Sequence, residues 1–204
     1  MATPERVMRL SPVIPVLTIE DAALARPIAE AIVAGGLKVL EVTLRTPAAL
    51  KAIAEMAKVE GAVVGAGTVL NGADLRRALD AGASFIVSPG LTGSLAEAAD
   101  DAGVPFLPGV ANAGDIMRGM DLGLSFFKFF PAEAAGGRAA LASLAAPFGQ
   151  ARFCPTGGIT PATAPAWLAM PSVLCVGGSW IVPPGPHDLA AIRARAAAAA
   201  ALGR

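Results

Sequence analysis

A lysine set among four phenylalanines is the feature of this 204-residue chain that most needs a chemical explanation. In Ser125-Phe-Phe-Lys128-Phe-Phe-Pro131 the apolar run has the length of a strand. Alternate side chains of a strand share a face, so Phe126, Lys128 and Phe130 should point the same way. Lysine is almost never fully buried unless paired. One explanation is an amine that reaches the solvent edge and meets a carboxylate. The other is a nucleophile. An ordinary lysine, with a pKa of about 10.4, is neutral in only about one molecule in 2,500 at pH 7. Apolar surroundings disfavour the ammonium form and raise the neutral share. A neutral amine attacks a ketone to give an iminium, the electron sink that carbon–carbon cleavage requires.

A second set lies in Glu41-Val-Thr43-Leu-Arg45, where Glu41, Thr43 and Arg45 fall at i, i+2 and i+4 on one strand face. A structural ion pair between Glu41 and Arg45 is one reading. In the other, the planar fork of Arg45 receives a substrate carboxylate. Glu41 then shuttles protons during carbinolamine formation, dehydration and carbon–carbon cleavage. A carboxylate beside the lysine favours the ammonium, so desolvation has to outweigh it for this chemistry to run.

Glycine-rich turns form the third set: Gly65-Ala-Gly67-Thr68, Ser88-Pro89-Gly90, Thr156-Gly157-Gly158 and Gly177-Gly178-Ser179. One glycine pair says little, because tight turns use glycine for many reasons. Two pairs following the last two apolar runs point to a phosphate cradle of backbone N–H groups.

These residues need a scaffold, and the chain supplies a regular one. Eight short apolar runs, at 13–19, 39–44, 62–69, 85–89, 105–110, 126–130, 152–156 and 173–177, alternate with alanine-rich amphipathic stretches such as 21–34, 47–59, 73–81 and 94–102. Gly36, Gly61, Gly82, Gly103 and Gly123 fall where helices should end. Thr46-Pro47 and Thr160-Pro161 read as helix starts, a capping hydroxyl followed by proline. Eight βα units predict an α/β protein with a single (β/α)8 TIM barrel spanning one domain, 1–204, and its chemistry at the C-terminal strand ends. An open doubly wound sheet is the alternative, but no dinucleotide fingerprint follows the first run. The segment before Pro12 is expected to be a short helix capping the barrel bottom, and 188–202 a closing helix.

Composition narrows the function. Hydrophobic residues make up 54% and charged residues 16%, which suits strands buried on both faces. Basic and acidic residues balance at 16 each with no single-sign run, so no basic stripe is offered to nucleic acid. Small anions need only one or two placed cations. The first apolar stretch is short and broken by Pro12 and Pro15, unlike a signal peptide. No apolar run approaches the ~20 residues needed to span a bilayer. A cytoplasmic protein without membrane or nucleic-acid partners is expected. Cys154 and Cys175 read as buried thiols. Two cysteines and one histidine do not make a typical zinc site, and His187, in a Pro/Gly-rich turn, reads as a surface residue. No metal is expected.

The strings Phe127-Lys-Phe-Phe-Pro-Ala-Glu133, Arg152-Phe-Cys-Pro-Thr-Gly-Gly-Ile159 and Ser172-Val-Leu-Cys-Val-Gly-Gly-Ser-Trp180 resemble the bacterial 2-keto-3-deoxy-6-phosphogluconate (KDPG) aldolases and 4-hydroxy-2-oxoglutarate (KHG) aldolases. Glu41-Val-Thr-Leu-Arg45, Gly65-Ala-Gly-Thr68 and Phe106-Leu-Pro-Gly-Val110 are similar to their counterparts there, and the likeness runs from about residue 8 to about residue 200. The resemblance implies a homotrimer of (β/α)8 barrels with no metal or organic cofactor, working in the Entner–Doudoroff pathway. It implies that Lys128 forms the Schiff base and that Glu41 is the general acid and base. Arg45 and Thr68 match positions that bind the pyruvyl carboxylate, and Pro89 and Phe130 match pocket walls. Gly157, Gly158, Gly177, Gly178 and Ser179 match the phosphate-binding region. Thr156 matches a position that influences substrate configuration. Relatives that cleave the galactonate epimer tend to carry an apolar residue there, so Thr156 favours the gluconate substrate.

Two rivals remain at this point. A phosphosugar isomerase or epimerase could share the scaffold and the phosphate cradle, but has no need of a lysine embedded in phenylalanines. A non-catalytic descendant would be expected to lose one of Lys128, Glu41 and Arg45, and all three are present.

Overall fold

The structure, a computed structural model, describes residues 3–202. In chain order the elements are α1 (Pro4–Arg9), β1 (Val13–Leu17), a 3-10 turn (Ala22–Leu24), α2 (Ala25–Ala34), β2 (Val39–Thr43), α3 (Ala49–Met56), β3 (Val63–Gly67), α4 (Gly72–Asp80), β4 (Ile86–Val87), α5 (Gly93–Asp101), β5 (Phe106–Leu107), β6 (Gly109–Val110), α6 (Ala113–Asp121), β7 (Phe126–Phe129), α7 (Gly137–Ala145), β8 (Arg152–Pro155), α8 (Ala164–Leu168), β9 (Val176–Gly178) and α9 (Leu189–Ala200). Every ladder between them is parallel. The fold is therefore α/β, with a curled six-stranded sheet in the order β5-β4-β3-β2-β1-β9 and a three-stranded sheet β6-β7-β8.

Seven of the eight predicted runs become single strands, and the fifth divides. Pro108 separates β5 from β6, since a proline has no N–H to donate to the ladder. The six-stranded sheet ends at β5 and the three-stranded sheet begins at β6. At the other margin, isolated bridges Phe153↔Val173 and Thr156↔Gly177 link β8 to the approach of β9.

Alternation along the strands sorts side chains into two clusters. Val13 and Leu17 of β1, Leu40 and Val42 of β2, and Phe127 and Phe129 of β7 pack outward with the helices, beside Ile28, Ile32, Ile53 and Trp167. Ile14, Val39, Phe85, Val87, Leu107, Cys154 and Cys175 form a second cluster on the inner face. Val7 and Met8 of α1 join that inner cluster, as expected of a helix closing the N-terminal ends of the strands. Cys154 and Cys175 are both buried.

Gly36, Gly82, Gly103 and Gly123 follow the caps of α2, α4, α5 and α6 with positive φ, as expected, whereas Gly61, also at positive φ, sits in the turn beyond the Ala57 cap of α3. The two predicted Thr-Pro helix starts are displaced. Helix α3 begins at Ala49 without a side-chain cap, and the Thr46 hydroxyl instead donates to Ile19 O at 2.5 Å. Helix α8 begins at Ala164, and Thr160 bonds to Thr163 ahead of it. Both hydroxyls are spent on pinning loops. Asn71, Thr92 and Asn112 are the residues that cap α4, α5 and α6 through side-chain oxygens.

Candidate active site

The C-terminal strand ends carry the buried polar groups. Among the described residues the buried polar or charged side chains are Ser11, Glu41, Thr43, Ser88, Lys128 and Thr156. All but Ser11 lie in or just after strands.

Lys128 Nζ meets Glu41 Oε1 at 2.9 Å, with the lysine side chain 7% and the glutamate side chain 4% exposed. Of the two ion-pair readings open in the sequence, the structure chooses neither Glu41–Arg45 nor a lysine at the solvent edge. It buries Glu41 against Lys128, 87 residues away. A buried pair of this kind is held by geometry, because removing either partner leaves a charge without water or counter-ion. Lys128 Nζ also lies 5.4 Å from the Phe130 ring centroid, so the expected shared face of Lys128 and Phe130 is present.

Space around the pair comes from small neighbours. Across the ladders Lys128 faces Gly109 on one side and Cys154 on the other, while Glu41 faces Val16 and Gly65. A Cβ on Gly67 would overlap Glu41 Oε1, and one on Gly65 would overlap the Phe85 ring. Gly109 is packed so closely against Pro89 O that no Cβ fits. These glycines supply room for neighbours.

Arg45, exposed at the end of β2, donates from Nε to Thr68 Oγ1 at 3.2 Å. Thr68 holds φ at +57°, which is uncommon for a β-branched residue and costs on the order of 1–3 kcal/mol. Such a conformation persists where surrounding contacts fix it, and here it presents the hydroxyl to Arg45. Thr43, on the same face as Glu41, donates to Leu17 O at 2.9 Å and lies 3.2 Å from Thr18 Oγ1. Thr18 was not among the residues singled out from sequence, although it is in phase with Ile14 and Val16 on the inner face of β1.

On the far side of the mouth, Gly157 and Gly158 take φ values of +108° and +80°. Their turn is stitched to the chain after β7, with Ala132 N donating to Thr156 O and Glu133 N to Gly157 O. Trp167 Nε1 donates to Glu133 Oε1 at 2.9 Å, bracing that stitch from α8. Thr156, 6% exposed, occupies the space a Cβ on Gly177 would need. Gly178 likewise makes way for the Trp180 ring. Ser179 and Pro89 are exposed at the rim. Lys128, Glu41, Arg45, Thr68, Pro89, Phe130, Thr156 and both glycine pairs with Ser179 thus gather at one end of the strands. His187 is in the loop between β9 and α9. Among the described residues no group of three or more His, Cys, Asp or Glu side chains is placed to hold a metal ion, and no helix is long and apolar enough to cross a membrane.

A lysine and a carboxylate in buried contact, beside an arginine and a glycine-rich rim, are suited to imine chemistry on an anionic ketone. Comparison with known proteins agrees. The family model for KDPG and KHG aldolases matches residues 5–194. The chain belongs to the KDPG and KHG aldolase family. The crystal structure of the 2-keto-3-deoxy-6-phosphogluconate aldolase of Zymomonas mobilis ZM4 with 3-phosphoglycerate is 62% identical, covers 98% of this chain and 96% of that one, and superposes with a TM-score of 0.97. The KHG/KDPG aldolase of Escherichia coli K12 is 53% identical over 180 residues, 88% of this chain and 84% of that protein. A KDPG aldolase from Legionella pneumophila, with pyruvate captured as a covalent carbinolamine, is 43% identical over 98% of this chain and 99% of that one, with a TM-score of 0.95.

Proposed function

We propose that the chain is a class I aldolase that cleaves 2-dehydro-3-deoxy-6-phosphogluconate to pyruvate and D-glyceraldehyde 3-phosphate. The reading rests above all on the buried contact between Lys128 Nζ and Glu41 Oε1 at 2.9 Å. Glu41 accepts a proton from the ammonium, leaving an amine that attacks the C2 carbonyl of the substrate. The C–N bond forms and the carbonyl oxygen takes up that proton from Glu41; Glu41 then moves a second proton from the nitrogen to the oxygen, and water departs to leave the iminium. Loss of the C4 hydroxyl proton then sends the C3–C4 bonding pair into the iminium. The aldehyde leaves, and the remaining enamine is protonated at C3 and hydrolysed to pyruvate, restoring Lys128. Arg45, steadied by Thr68, pairs with the substrate carboxylate, and Pro89 and Phe130 wall the pocket. The turns Gly157-Gly158 and Gly177-Gly178-Ser179 take the phosphate. The carbinolamine of the Legionella relative and the 3-phosphoglycerate held with the Zymomonas relative support the two halves of this assignment.

The name of the Escherichia coli relative supports 4-hydroxy-2-oxoglutarate as a second substrate, giving pyruvate and glyoxylate. Thr156 favours the gluconate epimer over the galactonate one. We further infer that residues 1–204 form one domain in which the two sheets close into a (β/α)8 barrel. The bridges at Phe153 and Thr156, and the short step across Pro108, support closure. The family likeness supports, as part of the same proposal, assembly as a homotrimer, a cytoplasmic location and a place in the Entner–Doudoroff pathway. The deciding test is incubation with pyruvate and sodium borohydride, then intact mass and peptide mapping. One reduced pyruvyl adduct on Lys128 is expected. A folded protein without adduct overturns the assignment and advances the isomerase reading.

A further inference from the structure

We infer that Thr18 is a specificity-determining residue that accepts a hydrogen bond from the hydroxyl on C5 of the substrate, an inference that rests on the aldolase reading above. Proton counting on three groups carries it. Thr43 Oγ1 has one proton, and its contact with Leu17 O at 2.9 Å consumes it, because a carbonyl oxygen can only accept. In the 3.2 Å contact between Thr18 Oγ1 and Thr43 Oγ1 the donor is therefore Thr18. That contact uses the one proton of Thr18. What Thr18 offers beyond it is acceptor lone pairs alone, and the residue is exposed.

Strand phase sets where those lone pairs sit. Val16 pairs with Glu41 and Leu17 with Val42, which extends to Thr18 beside Thr43, one rung above Glu41 on the inner face. On the other side of β1, Ile14 pairs with Gly177 and Pro15 with Gly178. Thr18 thus follows β1, the strand that lies between β2, which carries Glu41, and β9, which carries the second glycine turn, and it stands three residues past the rung that Pro15 shares with Gly178. A substrate joined to Lys128 at C2 and held by its phosphate at C6 must cross this interval with C4 and C5. The C4 hydroxyl gives up its proton during cleavage. The C5 hydroxyl keeps its proton, and an acceptor whose polarity is fixed by a neighbouring threonine matches it.

The test runs the reaction toward synthesis, with pyruvate and one of two aldehydes: D-glyceraldehyde 3-phosphate, or 3-phosphooxypropanal, which lacks only the hydroxyl that becomes C5–OH. Wild type, Thr18→Val and Thr18→Ser are compared by the ratio of kcat/KM for the two aldehydes. Thr18→Val keeps the β-branched shape of a strand residue and removes the acceptor. Its preference for the hydroxylated aldehyde should fall about fivefold, the scale of one neutral hydrogen bond. Thr18→Ser should restore it. Equal losses on both aldehydes would assign Thr18 to bracing Thr43 alone and overturn the inference. An unchanged ratio in Thr18→Val would do the same. Borohydride trapping with pyruvate on the wild type separates the two levels: an adduct with an unmoved ratio refutes only the role of Thr18, whereas no adduct refutes the aldolase reading and this inference with it.

Discussion

Glycines surround both halves of the site, yet they serve opposite purposes. Around Lys128 and Glu41 the glycines are empty places. Gly67 stays outside the left-handed region, and its lack of a Cβ lets Glu41 lie across it. The functional groups there are side chains, held by burial and by one another. At the rim after β8, Gly157 and Gly158 are chosen for conformation, with φ values of +108° and +80° that most residues avoid. There, in the proposed reading, the backbone itself is the functional group. A methyl added to the first half should therefore displace a catalytic atom, whereas one added to the second should distort a binding surface.

The largest expected effect removes the lysine itself. Lys128→Ala should lower pyruvate release by at least about a thousandfold in an NADH-coupled assay, because it removes the amine assigned to form the imine. Residual turnover within about tenfold of wild type would deny Lys128 the role of nucleophile. Gly67→Ala comes next. Its methyl pushes Glu41 off Lys128, and a displacement on the scale of 1 Å is worth about a hundredfold in kcat. Overpacking should cost about 1–3 kcal/mol of stability, read as a modest drop in Tm. A normal kcat in that variant would show that Glu41 works without its present position.

Gly158→Ala probes the rim. Left-handed φ costs a non-glycine residue about 1–2 kcal/mol, and the new Cβ would come within 2.8 Å of the Glu133 stem. KM for the phosphorylated substrate should rise about tenfold while the rate of borohydride trapping with pyruvate holds. A fall in trapping instead would erase the distinction between the two halves. Thr156→Val should give the smallest change, a roughly threefold loss in the kcat/KM ratio of gluconate over galactonate epimers. An unaltered ratio would pass the choice of configuration to another group.

Much of this arrangement was legible before any fold was built. Periodicity placed the strands, and the chemical oddity of a lysine among phenylalanines marked the buried amine that the proposed mechanism uses. Arg45 and Glu41 were visible as a set with two readings, a mutual ion pair or a division of labour, and spacing alone did not choose between them. The structure pairs Glu41 with a lysine 87 residues distant. That partnership depends on how the sheets curl, which no local pattern encodes. Thr46 and Thr160 looked like helix caps because of the Thr-Pro pattern, but a tertiary contact with Ile19 O claimed Thr46, and Thr160 closes a local turn with Thr163 ahead of α8. Gly67 and Gly157 are the same letter in sequence. Only the neighbour of one and the φ of the other tell space from conformation. Thr18 escaped notice for a similar reason, since its meaning lies in which oxygen of a cross-strand pair holds the proton.

Helix α1 has a practical consequence at the opposite end of the molecule. Val7 and Met8 stopper the inner face where the strands begin, so Pro4, at the start of α1, lies at the end of the strands opposite the mouth. A tether attached there would hold the protein to a bead or electrode with its reactive opening turned toward the solution. A tether joined through the loops after β2 or β8 would instead stand in the path of incoming aldehyde. For use as an immobilised carbon–carbon bond-forming reagent, the leading end is the handle.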